Sequence, residues 1–167
     1  MAYDEHQQQA QTIAARFGVL TVSDTRTPDT DKSGQRLRTL IDEAGHTVAR
    51  YQIVRDEPAE LAAVLTAWID DAEVDAIVVT GGTGVAARDQ TINVVRPLLR
   101  LELPGFGELF RALSYDEIGS GAMLSRAVGG VAKDTPLFAL PGSTAACELA
   151  MAKLILPEIR HLLKLLG

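Results

Sequence analysis

The stretch Asp75-Ala76-Ile77-Val78-Val79-Thr80-Gly81-Gly82-Thr83-Gly84 decides the fold. Its first half is a short apolar, β-branched run without polar alternation, as expected of a strand covered on both faces in a parallel sheet. The run passes straight into a loop of three glycines interleaved with threonine. A plain strand-to-helix turn needs one glycine. Three let the backbone approach a ligand and point N–H groups at an anion, and the Thr80 and Thr83 hydroxyls add donors. The stretch therefore reads as an anion cradle at the carboxyl end of a parallel strand. No Gly-Lys-Ser/Thr follows, so it is not a P-loop. Nor does it have the Gly-x-Gly-x-x-Gly spacing of a dinucleotide fold, which argues against hydride transfer.

Working outward, Phe17-Gly18-Val19-Leu20-Thr21-Val22-Ser23 is a second strand of the same kind. A polar loop from Asp24 to Lys32 leads to a helix with Leu37, Leu40, Ile41 and Ala44 on one face, Ser33 as its expected cap and Gly45 as its stop. A strand from about His46 to Val54 precedes a helix with Pro58 in its first turn, burying Leu61, Val64, Leu65 and Trp68. A helix is expected over roughly 90–100, with Pro97 placed to break it, and another from Pro104-Gly105 carrying Leu109, Phe110 and Leu113. Residues 119–136, rich in glycine and small side chains, take no clear assignment. Leu137-Phe138-Ala139-Leu140 reads as a last core strand, and the long apolar helix after Pro141-Gly142-Ser143 is interrupted at Pro157. The alternation of strands and helices predicts an α/β fold, a three-layer α/β/α arrangement on a mostly parallel, doubly wound sheet. Residues 1–15 are expected to be a flexible extension, frayed or a loose helical turn, and 16–167 a single domain.

Composition narrows the function. The net charge of −6 disfavours a nucleic-acid surface, which needs clustered basic residues. No run is long enough to span a membrane, and Met1 to Gln11 lacks the pattern of a signal peptide, so a cytoplasmic protein is expected. The lone Cys147 sits among Ala145, Ala146 and Leu149 and reads as a buried small hydrophobe rather than a nucleophile. His6, His46 and His161 lack ligand spacing, and strand-end or surface roles are expected for them.

In a doubly wound sheet, ligands bind beyond the carboxyl ends of the strands. Three loops meet there: Ser23-Asp24, Thr80 to Asp89, and Pro141-Gly142-Ser143. Asp89 fits either a helix cap or an oxygen ligand holding Mg²⁺ against phosphates. Asp56, after the second strand, has the same two readings, and its place on the same rim makes a two-carboxylate magnesium site geometrically reasonable. Arg88 can pair with a phosphate or face solvent. Ser143 can cap its helix or donate to a ligand, and Ser125 and Arg126 offer further polar contacts.

Taken together, Leu20-Thr21-Val22-Ser23-Asp24, Asp31-Lys32-Ser33-Gly34, Thr80-Gly81-Gly82-Thr83-Gly84 with Arg88-Asp89-Gln90-Thr91, Met123-Leu124-Ser125-Arg126-Ala127 and Leu140-Pro141-Gly142-Ser143 resemble the molybdenum cofactor biosynthesis proteins of the MoaB and MogA type. The stretch Gly105-Phe106-Gly107-Glu108-Leu109-Phe110-Arg111, with Leu113 to Gly119, is closer to the B-type branch. The resemblance covers nearly the whole chain from Phe17 onward. It implies a molybdopterin-binding fold and a reaction with Mg²⁺ and ATP: the terminal phosphate of molybdopterin attacks the α-phosphate, pyrophosphate leaves, and adenylyl-molybdopterin forms. It maps two carboxylates of the adenylylating members onto Asp89 and Asp56, with Arg55 standing where the family has proline. Substrate contacts are expected from Ser23, Asp24, Thr80, Gly81, Gly82, Thr83, Gly84, Ser125, Pro141, Gly142 and Ser143. The alternatives are a protein that holds or passes on molybdopterin without adenylylating it and, further off, an unrelated nucleotide-binding domain. The resemblance also implies self-association, as a trimer or a hexamer of paired trimers.

Overall fold

The strand that opens onto the glycine loop lies at the centre of the molecule. In the computed structural model, which describes residues 2–167, β1 (Arg16–Val22), β2 (Thr47–Val54), β3 (Ala76–Thr80), β4 (Leu101–Glu102), β5 (Val128–Ala132) and β6 (Thr135–Leu140) form one six-stranded sheet in the order β2-β1-β3-β6-β5-β4. The β2-β1, β1-β3 and β3-β6 pairings are parallel, whereas β6-β5 and β5-β4 are antiparallel. The mostly parallel sheet expected from the sequence thus carries an antiparallel edge. The helices are α1 (Ala2–Gln9), α2 (Lys32–Glu43), α3 (Pro58–Ile69), α4 (Thr91–Leu98), α5 (Pro104–Ile118), α6 (Thr144–Ala150) and α7 (Leu156–Leu166).

Strand alternation sends successive side chains to opposite faces. From β3, Ala76 and Val78 join Phe17, Val19, Phe138 and Leu140 under α2, α5, α6 and α7. Ile77 and Val79 join Leu20, Val22, Leu137 and Ala139 under α3 and α4. Both faces are covered, which is why the strands read as continuous apolar runs. Leu61, Leu65 and Trp68 of α3 are buried as expected. Trp68 presses so closely on β1 that a Cβ on Gly18 would lie 2.7 Å from its ring.

Several local expectations change. Ser33 does not cap α2. Asp31 does, accepting the Gly34 N–H at 3.0 Å, and Ser33 turns to donate to the Gly142 carbonyl at 2.7 Å. Asp31 is fully buried and also accepts from Thr21 Oγ1 and the Tyr51 hydroxyl. Its charge is therefore saturated by hydrogen bonds, and burial with this contact pushes the Tyr51 phenol upward. At the other end Gly45 has φ +81°. Its N–H bonds Asp42 O and that of His46 bonds Ile41 O, a Schellman closure. Pro97 does not break α4. It lies inside the helix, which ends one residue later at Leu98, with Leu99 already extended.

Pro157 does not end the C-terminal helix either. Residues Met151–Ile155 widen into a π turn, in which the Leu156 N–H reaches back to Met151 O, and α7 continues beyond. The wider turn accommodates a residue that lacks an N–H and crowds the preceding turn. The amino-terminal stretch, expected to be frayed or a loose helical turn, holds α1, whose Tyr3 hydroxyl bonds Glu158 of α7. No helix among the described residues is long and apolar enough to cross a membrane.

The unassigned stretch 119–136 holds a 3₁₀ segment, Gly119–Leu124, then β5 and the first residues of β6. Gly129 and Gly130 lie inside β5. A Cβ at Gly129 would meet Phe138 and Phe106 within 3 Å, and one at Gly130 would sit 2.4 Å from Leu101 O of β4.

Candidate functional site

The chain leaves β1, β2, β3 and β6 at one edge of the sheet. The helix that follows β1 packs on one face and the helix that follows β3 on the other, so a crevice opens between these neighbouring strands. The glycine loop forms its floor. Gly81 has φ +102° and Gly82 φ +68°, conformations that side chains disfavour. A Cβ at Gly81 would lie 2.4 Å from Val22 O, and one at Gly82 2.3 Å from Thr91 Oγ1. These glycines are therefore required by the loop's packing on β1 and α4, beyond any need for ligand approach. Gly81 donates its N–H to Leu140 O. Among the described residues, no hydrogen bond takes the N–H of Gly82, Thr83 or Gly84.

Arg126 holds this loop in shape. Its guanidinium donates to Gly84 O at 2.9 Å, Asp89 O at 2.7 Å and Asn93 Oδ1 at 3.2 Å, while its N–H donates to Thr83 O. Its charge is thus turned onto backbone carbonyls of the loop. Thr80 is buried and donates to Pro141 O at 2.9 Å, tying the ends of β3 and β6 together. The Gly142 backbone packs on Gly81, and Ser143 caps α6 by accepting the Ala146 N–H. Cys147 beneath them is fully buried, and burial pushes its thiol up to about 11, which leaves it un-ionised and inert.

Neither carboxylate caps a helix. Gln90 occupies the position before α4, and Asp89 instead accepts the Ala86 N–H at 2.9 Å, closing the turn that follows the glycine loop. Glu57 occupies the position before α3, so Asp56 stands one residue further out with its side chain 13% exposed. Burial and then the nearby charges of Asp89 and Glu57 hold the Asp56 carboxyl above its ordinary value. Asp24 braces the group by accepting the Asp56 N–H at 2.9 Å. Arg88 pairs with Asp24 and lies 3.9 Å from Asp56 Oδ2. Ser23 Oγ accepts the N–H groups of Thr25 and Arg26, shaping the turn after β1.

Two cavities share Gly81 and Gly142 as their common wall. The first, about 300 Å³, is polar: Ser23, Asp24, Arg26, Ser33, Asp56 and Arg88 line it. The second, about 390 Å³, has an apolar side made by Phe110, Ile118 and Leu124, and hydroxyls from Thr83, Ser114, Ser125 and Ser143. Asp89 lies on this second cavity. The expected site residues are thus brought together around one saddle. Arg26, Ser114, Phe110 and Ile118 are additions. The three α5 residues Phe110, Ser114 and Ile118 follow one another at four-residue spacing, which marks a shared face but not that the face lines a cavity.

Among the described residues, no set of three or more His, Cys, Asp or Glu side chains is grouped to enclose a metal. Mg²⁺ does not need one, since it keeps several waters and takes one or two carboxylates with substrate phosphates. Asp56 and Asp89 are hard oxygen donors whose charges already interact across the glycine loop, so the residues fit such an ion. His46 lies away from the site. It is buried before β2 with Nδ1 accepting the Ala15 N–H, and burial lowers its pKa.

Comparison with known proteins gives a consistent answer. Residues 18–161 match the family model described as a probable molybdopterin binding domain. The chain is 50% identical over 165 residues to molybdenum cofactor biosynthesis protein B of Bacillus subtilis, covering 98% of this chain and 96% of that protein. A crystal structure of a molybdenum cofactor biosynthesis protein B superposes with a TM-score of 0.90 at 49% identity, covering 92% and 96% of the two chains. The tungsten cofactor synthesizing protein MoaB from Pyrococcus furiosus superposes with a TM-score of 0.80 at 36% identity, covering 90% and 96%.

Proposed function

Because the chain belongs to the molybdopterin-binding domain family, we propose that it serves molybdenum cofactor biosynthesis by binding molybdopterin and adenylylating it with Mg-ATP. One observation carries this reading: two cavities meet at Gly81 and Gly142, with Asp56 in one and Asp89 in the other. Adenylyl transfer needs that arrangement, because two anionic substrates must be held with their phosphates adjacent.

The cavity with the apolar side suits the pterin. A flat heterocycle packs on Ile118 and Leu124 while hydroxyls address its polar edge. The polar cavity suits the triphosphate, with Arg26 and Arg88 as cationic partners. The N–H groups of Gly82, Thr83 and Gly84 are available for the phosphates that meet between them. A phosphate oxygen of the pterin forms a bond to the α-phosphorus, the bond from that phosphorus to the bridging oxygen breaks, and pyrophosphate leaves with the electron pair. No protein nucleophile is needed. Arg126 fixes the loop, Asp24 fixes Asp56, and the two carboxylates address the metal. Mg²⁺, when bound, offsets charge on the triphosphate. ATP use places the protein in the cytoplasm, and we take the working form to be a trimer or hexamer.

Purified protein given molybdopterin and MgATP should release pyrophosphate and form adenylyl-molybdopterin. Asp89→Ala should lower turnover by at least about 100-fold, the scale expected when transition-state charge loses a stabilising partner, with molybdopterin binding largely kept. No product from the unaltered protein, with molybdopterin still bound, would establish the non-catalytic binding protein in its place.

A further inference from the structure

We propose that Arg88 is a resident counter-ion of the nucleotide half of the site, one that a divalent cation must displace and that a triphosphate then recruits. Arg88 would thereby make metal and nucleotide bind together. This rests on the adenylylation reading above.

The geometry isolates Arg88 from every other cation nearby. Arg126 is fixed by two backbone carbonyls and Asn93. Arg26 lies 3.7 Å from buried Asp31 and 3.4 Å from Ser33 Oγ. Arg88 alone reaches the open carboxylates. It pairs with Asp24 and lies 3.9 Å from Asp56, and its own side chain is 65% exposed. The turn that carries it is closed by Asp89 at the Ala86 N–H, so the backbone is set and the side chain is what can move. An exposed ion pair of this kind is weak and readily exchanged.

The charge count gives it a task. Asp24, Asp56 and Asp89 face the crevice, and Arg88 is the guanidinium that reaches Asp24 and Asp56. Arg88 only partly compensates them, because it pairs with Asp24, stands 3.9 Å from Asp56 Oδ2 and makes no ion pair with Asp89 among the described residues. A divalent cation on Asp56 would therefore be better matched than Arg88, but it would enter beside a guanidinium held on Asp24. Without a triphosphate, that repulsion opposes entry. With one, the phosphates supply acceptors arranged for a guanidinium, and Arg88 can transfer from carboxylate to phosphate. Metal and nucleotide then bind cooperatively, and each site's effect on the other must be equal by linkage.

The test uses Mn²⁺ as a spectroscopically visible probe on the full chain, unaltered and as Arg88→Ala and Arg88→Lys. Free Mn²⁺ is read by electron paramagnetic resonance, with and without ATP. In the unaltered protein ATP should tighten Mn²⁺ binding by at least about tenfold, a typical coupling between sites. Arg88→Ala should bind Mn²⁺ alone about fivefold or more tighter and lose most of that coupling, with Arg88→Lys between the two. Equal Mn²⁺ affinity of the unaltered protein and Arg88→Ala without ATP, while both bind Mn-ATP, would overturn the role of Arg88 and leave adenylylation standing. Absence of Mn-ATP binding by the unaltered protein would remove both.

Discussion

Asp56, proposed above as a metal ligand, sits at odds with stability. Burial and the charge of Asp89 hold its carboxyl above the ordinary value. The folded protein therefore keeps a proton there more readily than the unfolded chain does. As pH rises from about 4 through that raised value, stability is lost, because the folded state must then carry a charge it resists. Asp56→Asn should remove this burden. At pH 7.5 the variant's Tm should rise by roughly 1–3 °C, and the advantage should vanish below about pH 4, where both forms are neutral. A Tm at pH 7.5 that falls on substitution would mean that Arg88 compensates Asp56 fully. Asp56 stood out in the sequence because it follows the end of β2 in a short polar turn, and Asp89 because it closes the region that the glycine loop opens. What surrounds them was less legible. The bond from Ser33 to Gly142, and the turning of Arg126 onto the carbonyls of Gly84 and Asp89, join residues 37 to 109 positions apart. No local pattern encodes such pairings.

At the scale of elements, the strands that were plain in the sequence are those with both faces buried. The Asp75–Thr80 run and Leu137–Leu140 have only apolar surroundings to satisfy, so composition suffices. β5 was hidden because its glycines answer to neighbours rather than to strand propensity. Phe106 and Phe138 take the space over Gly129, and the backbone of β4 takes the space beside Gly130. Gly130→Ala should therefore cost about 1–3 kcal/mol, since its Cβ would lie 2.4 Å from Leu101 O and backbone cannot easily yield. Gly105→Ala is the matched control. It lies in α5 with nothing within 4 Å of the added carbon, so it should be neutral or stabilise by up to about 1 kcal/mol. Urea denaturation at one fixed protein concentration compares them, and equal midpoints for the two variants would refute the crowding at β4. Pro157 is the opposite case. A local rule predicts an interruption, yet the π turn before it lets α6 and α7 run on as one path.

The whole molecule leaves apolar surface that its own core does not use. Leu109 is 56% exposed on α5, with Tyr115 at 62%, Ile118 at 65% and Met123 at 78% along the same helix and the 3₁₀ segment after it. Beside them a groove of about 180 Å³ between α5 and the C-terminal helix is lined by Leu103, Phe106, Leu109, Leu154 and Leu162. Scattered apolar side chains are ordinary on a monomer, but exposed Leu109 at the lip of an apolar groove, with Tyr115, Ile118 and Met123 exposed further along, is the mark of an interface. A second copy of the chain is the occupant proposed for it, which accords with a trimer or hexamer. Ile118 and Leu124 also line the cavity proposed for the pterin, so association would shield its mouth from water. Light scattering should thus give a trimer or hexamer mass, and the double substitution Leu109→Glu with Ile118→Glu should shift the protein to monomer. The same variant should bind molybdopterin more weakly, whereas Leu109→Glu alone, outside the cavity, should affect assembly first. A monomer mass for the unaltered protein, or a double variant that stays assembled, would show that this face is not the contact.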